Sequence, residues 1–350
     1  MKRIDYLDSL KGGAILLVVF CHFTFLSPET FSGNVVMQMA WSGVPIFFMV
    51  SGGLQIAVKP FVFTKYRKSI GSLYLKVCGW KLIYFLVYRY IMHMASRISI
   101  MSLIRYLLCF GNLEDVDTGV MWYMNAYIMI MLIFPAFYVL YHEHYKVYIS
   151  ITILCLLSGI VLPSADWVVS MISQTDFYFF RSLSDILPFS NHSSALFYFL
   201  IGGVVMGHLE EIRKCRNLNI ISSVMVAIGL VGTIIMKWLQ TGSIQWKCVY
   251  FDGGYLHFSV MVMSIGLYLF FAYNEGKIGF KFLSFIGKYT MGIYFLHYLL
   301  LAVICTLIIP YLQFRYCFTA NVIKTIVVTV VCIATTAIAR KIPLLQKLFV

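Results

Sequence analysis

The chain has 350 residues, of which 61% are hydrophobic, 17% aromatic and only 12% charged, with a mean hydropathy of +0.86. A soluble domain carries about 25% charged residues, so these values exclude a soluble globular protein and define a polytopic membrane protein. The formal net charge of +13 comes from short Lys and Arg clusters between apolar runs; with no basic domain and no aromatic-basic surface, it points to the lipid bilayer and excludes nucleic acid as a partner.

In chain order, the first apolar run, residues 14–26, follows Met1-Lys2-Arg3 and resembles a signal-peptide core. It lacks a small-x-small cleavage site before the next run, so it reads as a retained first helix. Roughly 20 apolar residues cross the ~30 Å hydrocarbon layer. Hydropathy, with Gly, Pro and charge as punctuation, predicts ten spans at about 11–27, 35–57, 77–95, 121–141, 147–163, 194–209, 219–239, 255–273, 286–309 and 321–339. The predicted fold class is all-α, a polytopic transmembrane helix bundle, and no internal repeat or linker divides residues 1–350 into more than one domain. A cytoplasmic N-terminus puts most of the 27 Lys and Arg in inside segments, including Arg213-Lys214-Arg216 and Arg340-Lys341, so both termini are predicted cytoplasmic. Residues 97–110, apolar but interrupted by Arg97 and Arg105, suit a helix that lies in the interface or re-enters. The longest polar connection, about 164–193, falls on the outer face beside Asp252-Gly253-Gly254, where it can hold a hydrophilic acceptor. The nine cysteines are an odd number without CxxC or zinc spacing and are expected as free thiols, a Cys248–Cys317 disulfide between external loops being the alternative.

Every carboxylate, from Asp5 to Glu275, sits at a span edge or in a loop, which argues against a carboxylate proton relay. No HExxH or other metal-ligand spacing and no GxSxG elbow is present, so no metal is expected. Histidine is the remaining candidate for chemistry within the apolar runs. Lys11 and His22 are eleven residues apart, about three helical turns plus roughly 20°, and so share a face with a rise of about 16 Å. Asp8 lies on nearly that face. A polar stripe thus climbs from an acid-base pair at the cytoplasmic edge to an imidazole near mid-bilayer, while Gly12 and Gly13 permit close approach of a helix or ligand. An imidazole there can act as a base near neutral pH; the competing reading is a buried histidine bonded to a neighbouring helix.

The second helix contains Pro45 and then Ser51-Gly52-Gly53, small residues that suit helix packing. It leads into Lys59-Pro60-Phe61 and Thr64-Lys65-Tyr66-Arg67-Lys68, followed by Lys76 and Lys81, the densest basic stretch in the chain. Such a stretch either sets topology and touches anionic lipid, or binds the phosphates of a cytosolic cofactor. Further on, Trp122 is an aromatic-belt anchor or a sugar-stacking platform. Thr290, Tyr294 and His297, at i, i+4 and i, i+3 spacings, can face one groove of the ninth helix, with ordinary packing as the alternative.

Four segments in order resemble the acyltransferase-3 family of integral membrane acyltransferases, which acylate carbohydrates of the cell envelope. The opening Tyr6-Leu7-Asp8-Ser9-Leu10-Lys11-Gly12 through His22 is similar to the family's basic residue, ten intervening residues and essential histidine, with Lys11 where the family normally has Arg. Phe47-Phe48-x-x-Ser51-Gly52, the stretch from Trp122-Tyr123-Met124 to Pro135, and Phe285 through Gly287, Tyr294 and His297 resemble its second-helix, tryptophan-aromatic and glycine–tyrosine–histidine segments. The resemblance covers essentially the whole chain. It implies transfer of an acyl group, most plausibly acetyl from acetyl-CoA, onto a hydroxyl of an envelope polysaccharide, lipid-linked glycan or glycolipid at a bacterial inner membrane, with glycan-assembly proteins as possible partners. His22, Lys11 and Asp8 would form the catalytic set; Lys11, Arg67, Lys68 and Ser51 would receive acyl-CoA; and Trp122, Tyr123, Tyr294 and His297 would line the acceptor side. The alternative is an exporter or flippase of a polysaccharide or lipid-linked sugar, against which stand the lack of an inverted repeat and of paired intramembrane carboxylates.

Overall fold

A computed structural model describes residues 4–26, 31–94, 98–108, 112–173, 175, 179, 193–242, 254–275, 280–309 and 317–349. Among these residues the secondary structure is helical, with a single isolated bridge between Leu113 and Val116 and no strand. In chain order the helices are α1 (Asp5–Cys21), α2 (Phe31–Ala40), α3 (Gly43–Gly52), α4 (Phe63–Tyr90), α5 (Ile100–Leu107), α6 (Trp122–Glu143), α7 (Tyr145–Leu156), α8 (Leu162–Ser173), α9 (Ser193–Gly207), α10 (Leu209–Arg213), α11 (Leu218–Gly242), α12 (Phe258–Tyr273), α13 (Lys281–Gly287), α14 (Thr290–Leu307), α15 (Phe318–Ala339) and α16 (Pro343–Phe349).

Among the described residues, seven stretches are long and apolar enough to cross a bilayer: Val35–Val58, Phe63–Tyr90, Gly119–Glu143, Tyr145–Ser170, Leu218–Met236, Thr290–Leu307 and Phe318–Ala339. α9 and α12 are apolar but shorter, at 15 and 16 residues, and α1 has 17. The outward faces of α11 (Ile220, Val224, Ile228, Val231, Ile235) and α15 (Ile323, Val327, Val330, Ile338) are apolar and exposed, the composition that a lipid-facing helix requires.

Several boundaries depart from the sequence expectation. α1 begins before residue 11 and ends at Cys21, not at about 27. The Thr24 hydroxyl there accepts the Leu26 N–H at 3.1 Å, a local bond that competes with helix continuation. α4 starts at Phe63, well before the expected 77, because the basic segment that follows Pro60 consists largely of residues compatible with helix. α8 occupies residues 162–173, the first part of the segment expected as a polar loop. Pro163 is accommodated there because a π-helical turn, Leu157–Val161, precedes it. The rest of that loop around Asp176, Asp185, Pro188 and Asn191, as well as Arg97, Cys248 and Asp252-Gly253, lies outside the described residues, so the Cys248–Cys317 pairing does too.

The chain forms two compact units, residues 1–60 with 136–288, and residues 61–135 with 289–350. In the first, α1 packs on α3 and α13, α9 packs on α3 and α7, and α11 packs on α12 and α2. Its core contains Leu7, Leu10, Ile15, Phe48, Met49, Tyr148, Phe199 and Tyr268. In the second, α14 packs on α15, and α4 packs on α5 and α16. Trp80 anchors this unit: its ring stacks on Phe295 at 5.2 Å and meets Phe349 edge-on at 5.1 Å, and its indole N–H donates to the Leu348 carbonyl at 3.2 Å. The eight-residue α5 rises only about 12 Å and is too short to cross. It is bound to α4 reciprocally, Lys81 Nζ donating to the Tyr106 carbonyl at 3.2 Å and the Tyr106 hydroxyl to the Lys81 carbonyl at 3.1 Å.

Candidate functional site

In the first unit the site begins at the N-terminal half of α1. Asp8 and Lys11, three residues apart and therefore on one face, form an ion pair of 2.6 Å between Nζ and Oδ1. The Asp8 side chain is buried and that of Lys11 is 26% exposed, so the ammonium reaches the edge of the unit while its partner is fixed inside. α13 lies directly against this turn. A Cβ on Gly12 would stand 1.9 Å from the Leu283 carbonyl oxygen, and one on Gly287 would stand 2.0 Å from the Asp8 carbonyl oxygen. Two segments singled out in the sequence, around residues 8–12 and 285–288, thus meet backbone to backbone, and glycine at both positions is what permits it.

Lys59, which follows the π-helical turn Gly53–Val58, is close enough to Lys11 for their like charges to interact. Desolvation first, and the Lys11 charge second, hold its ammonium below the usual lysine range. On the opposite flank, Tyr6 lies 5.4 Å beneath the Arg213 guanidinium. Arg213 also donates to the Ala272 carbonyl at the end of α12 and pairs with Glu275 at 2.5 Å. A cavity of about 500 Å³ adjoins these groups, lined among others by Tyr6, Ser9, Asn274, Lys281, Ser284 and Lys288.

His22 does not continue the helix. It is the residue that ends α1, half-buried, with extended backbone angles of φ −87° and ψ 137°, and Phe23 after it adopts a left-handed φ of 45°. The helical path from Lys11 to Cys21 rises about 15 Å, but the imidazole stands at the end of the helix instead of on a continuous helical face. Ser51 is half-buried near the end of α3, next to Gly52, where a Cβ would come 1.7 Å from the Phe199 carbonyl oxygen.

In the second unit, Trp122, Tyr123, Tyr294 and His297 form one chain of ring contacts. Centroid separations are 6.4 Å for Trp122–Tyr123, 5.6 Å for Tyr123–Tyr294 and 6.2 Å for Tyr294–His297. The Tyr294 hydroxyl donates to the Val120 carbonyl at 2.6 Å. His297 is fully buried, and its Nδ1 lies 2.9 Å from the Ile293 carbonyl. A carbonyl only accepts, so Nδ1 carries a proton in this contact. The same group contains two residues that the sequence did not single out: the Tyr298 hydroxyl donates to the Asp117 carboxylate, whose other oxygen accepts the Gly119 N–H at 2.8 Å. The Asp117-Thr118-Gly119 run is a turn signature, but nothing local links it to Tyr298. Arg67 and Lys68 are exposed on the N-terminal part of α4. Lys68 faces a groove with Lys76 and Lys347.

Helices that satisfy their backbone internally and show apolar outer faces are what a membrane-embedded protein requires. The chain belongs to the acyltransferase-3 family: the family's acyltransferase domain matches residues 4–340, nearly its whole length. It is an integral membrane acyltransferase. Comparison with curated proteins and with solved structures gives no match.

Proposed function

We propose that the protein transfers acetyl from acetyl-CoA to a hydroxyl of an envelope polysaccharide, lipid-linked glycan or glycolipid, and that His22 is the group at which transfer occurs. The observation that carries this reading is the arrangement on α1: a fixed Asp8–Lys11 pair at one end and a histidine at the break that ends the helix. Lys11, with Lys59 beside it, would attract the phosphates of the donor, and the Ser51 hydroxyl is a candidate for the same ligand. The acceptor oxygen attacks the thioester carbonyl as His22 takes its proton; a C–O bond forms, the C–S bond breaks, and the proton passes to the departing CoA sulfur. An acyl-histidine intermediate would split the same transfer into two steps. The Tyr123–Tyr294–His297 ring cluster, with Trp122, has the composition that holds a sugar.

In this reading the seven long helices are joined by α1, α9 and α12 to give ten crossings. These three rise about 23–26 Å, most of the ~30 Å layer, and both termini lie on the cytoplasmic side of a bacterial inner membrane. The test is incubation of purified protein in nanodiscs with radiolabelled acetyl-CoA and extracted envelope glycan, comparing wild type with His22→Ala. Release of CoA and glycan labelling that vanish in the folded variant are expected. Activity retained by the variant overturns the role of His22. No turnover with acetyl-CoA or other acyl-CoAs overturns the donor assignment and favours glycan export.

A further inference from the structure

α4 is 28 residues long, about 42 Å, and outreaches the ~30 Å hydrocarbon layer by about two turns. Its N-terminal part carries Lys68, Ser72 and Lys76 at i, i+4 and i+8, on one helical face. This face and α16 form the walls of a groove of about 940 Å³, to which α16 contributes Gln346 and Lys347. α16 is held in place: besides the Trp80 bond to Leu348 and the ring contact to Phe349, a Cβ on Gly79 would stand 2.8 Å from the Leu348 side chain. Three lysines therefore face a preformed space, and no Asp or Glu is among its described lining residues. A concave site of that composition suits an anion, with the Ser72 hydroxyl and the Gln346 amide as further donors.

The shape of the surroundings favours one source of that anion. Leu75 borders the groove and is 69% exposed, and Leu82 and Leu86, seven and eleven residues further along the same face of α4, are exposed as well. Phosphate-binding cations at one end of an exposed apolar stripe match a ligand with a charged head and a hydrocarbon body. We propose that the α4–α16 groove binds the phosphate of an anionic phospholipid, whose acyl chain follows the Leu75–Leu82–Leu86 face. Bound there, a lipid would bridge the C-terminal helix and α4 at the membrane surface.

Native mass spectrometry of the full chain in detergent tests this, with phosphatidylglycerol and phosphatidylcholine as the two lipid probes and acetyl-CoA and 3′,5′-ADP as competitors. Wild type is expected to retain phosphatidylglycerol over phosphatidylcholine. Loss of two lysine contacts in K76Q/K347Q is expected to weaken this by about thirty-fold, taking each basic residue near the surface as worth roughly fivefold. K65Q/K341Q removes the same charge from exposed positions that do not line the groove and is expected to bind as wild type does. Equal weakening in both double variants, or equal retention of the two lipids, overturns the proposal. Displacement of phosphatidylglycerol by acetyl-CoA or 3′,5′-ADP assigns the groove to the nucleotide instead and also overturns it. If K76Q/K347Q does not fold, Gln346→Glu, which puts a negative charge at the exposed rim, is expected to give the same loss, and unchanged lipid retention in that variant overturns the proposal. None of these readouts requires turnover, so they stand apart from the acetyl-transfer assay.

Discussion

Lys11 closes a 2.6 Å ion pair on Asp8, one turn back on the same helix, and only the lysine of the two is appreciably exposed. The asymmetry decides what each substitution does. Lys11→Met leaves a carboxylate desolvated without its cation and is expected to destabilise the protein by about 1–3 kcal/mol. Asp8→Asn leaves a lysine that can turn to solvent and is expected to cost less. The double variant should recover most of the loss, as chemical unfolding of all four proteins in one detergent would show. Additive effects would mean that the pair is not coupled.

Gly12 and Gly287 are expected to tolerate no side chain. With Cβ positions 1.9 and 2.0 Å from carbonyl oxygens, Gly12→Ala or Gly287→Ala must separate α1 from α13, at an expected cost of about 1–3 kcal/mol, together with loss of acyl transfer. Gly13→Ala is the control, since no atom lies within 4 Å of its Cβ. It should be neutral or mildly stabilising through helix propensity. Thermal unfolding midpoints of the three variants check this.

Tyr294 and Tyr298 separate packing from polar positioning. Tyr294→Phe keeps the ring against Tyr123 and leaves the Val120 carbonyl without its 2.6 Å donor, an expected loss of about 1–2 kcal/mol. Tyr298→Phe releases the Asp117 carboxylate, which keeps only the Gly119 N–H of the two bonds described. If this segment receives the acceptor, Tyr298→Phe raises KM for glycan more than it lowers kcat, and Asp117→Asn does the same. A change confined to unfolding stability would assign both residues to structure alone.

Lys59 has a definite pH signature. Its folded-state pKa is lowered, so between that value and the ordinary lysine value of about 10.5 the unfolded chain binds more protons than the folded one. Stability contributed by this residue therefore rises with pH across that window. Below it, the charged ammonium opposes folding. Lys59→Gln should remove this part of the pH dependence, which unfolding measurements between pH 8 and 11 on both proteins would reveal. Identical profiles would refute the assignment.

Sequence alone carried much of the helical architecture because apolar runs and lipid-facing stripes are periodic, local signals. The Asp8–Lys11 pair was readable for the same reason: three residues on one helix fix which side chains meet. Helix ends and long-range contacts were not readable. His22 ends α1 because of backbone angles at residues 22 and 23 and a Thr24 turn that hydropathy does not register. Tyr298 and Asp117 are 181 residues apart, and no local pattern in either segment names the other. The opposed glycines of α1 and α13 lie between these cases. Both stood in recognisable motifs, but their reason for being glycine is visible only when the two backbones are placed together.

Lys81 belongs by position to the most basic stretch of the chain, yet it is buried, bonded to the Tyr106 carbonyl and set 5.0 Å over the same residue's ring. Its charge is committed to fastening α5 and is withheld from headgroups and from any soluble anion. A tally of cationic letters along a membrane protein therefore overstates the field at the surface wherever one of them serves as an internal fastener.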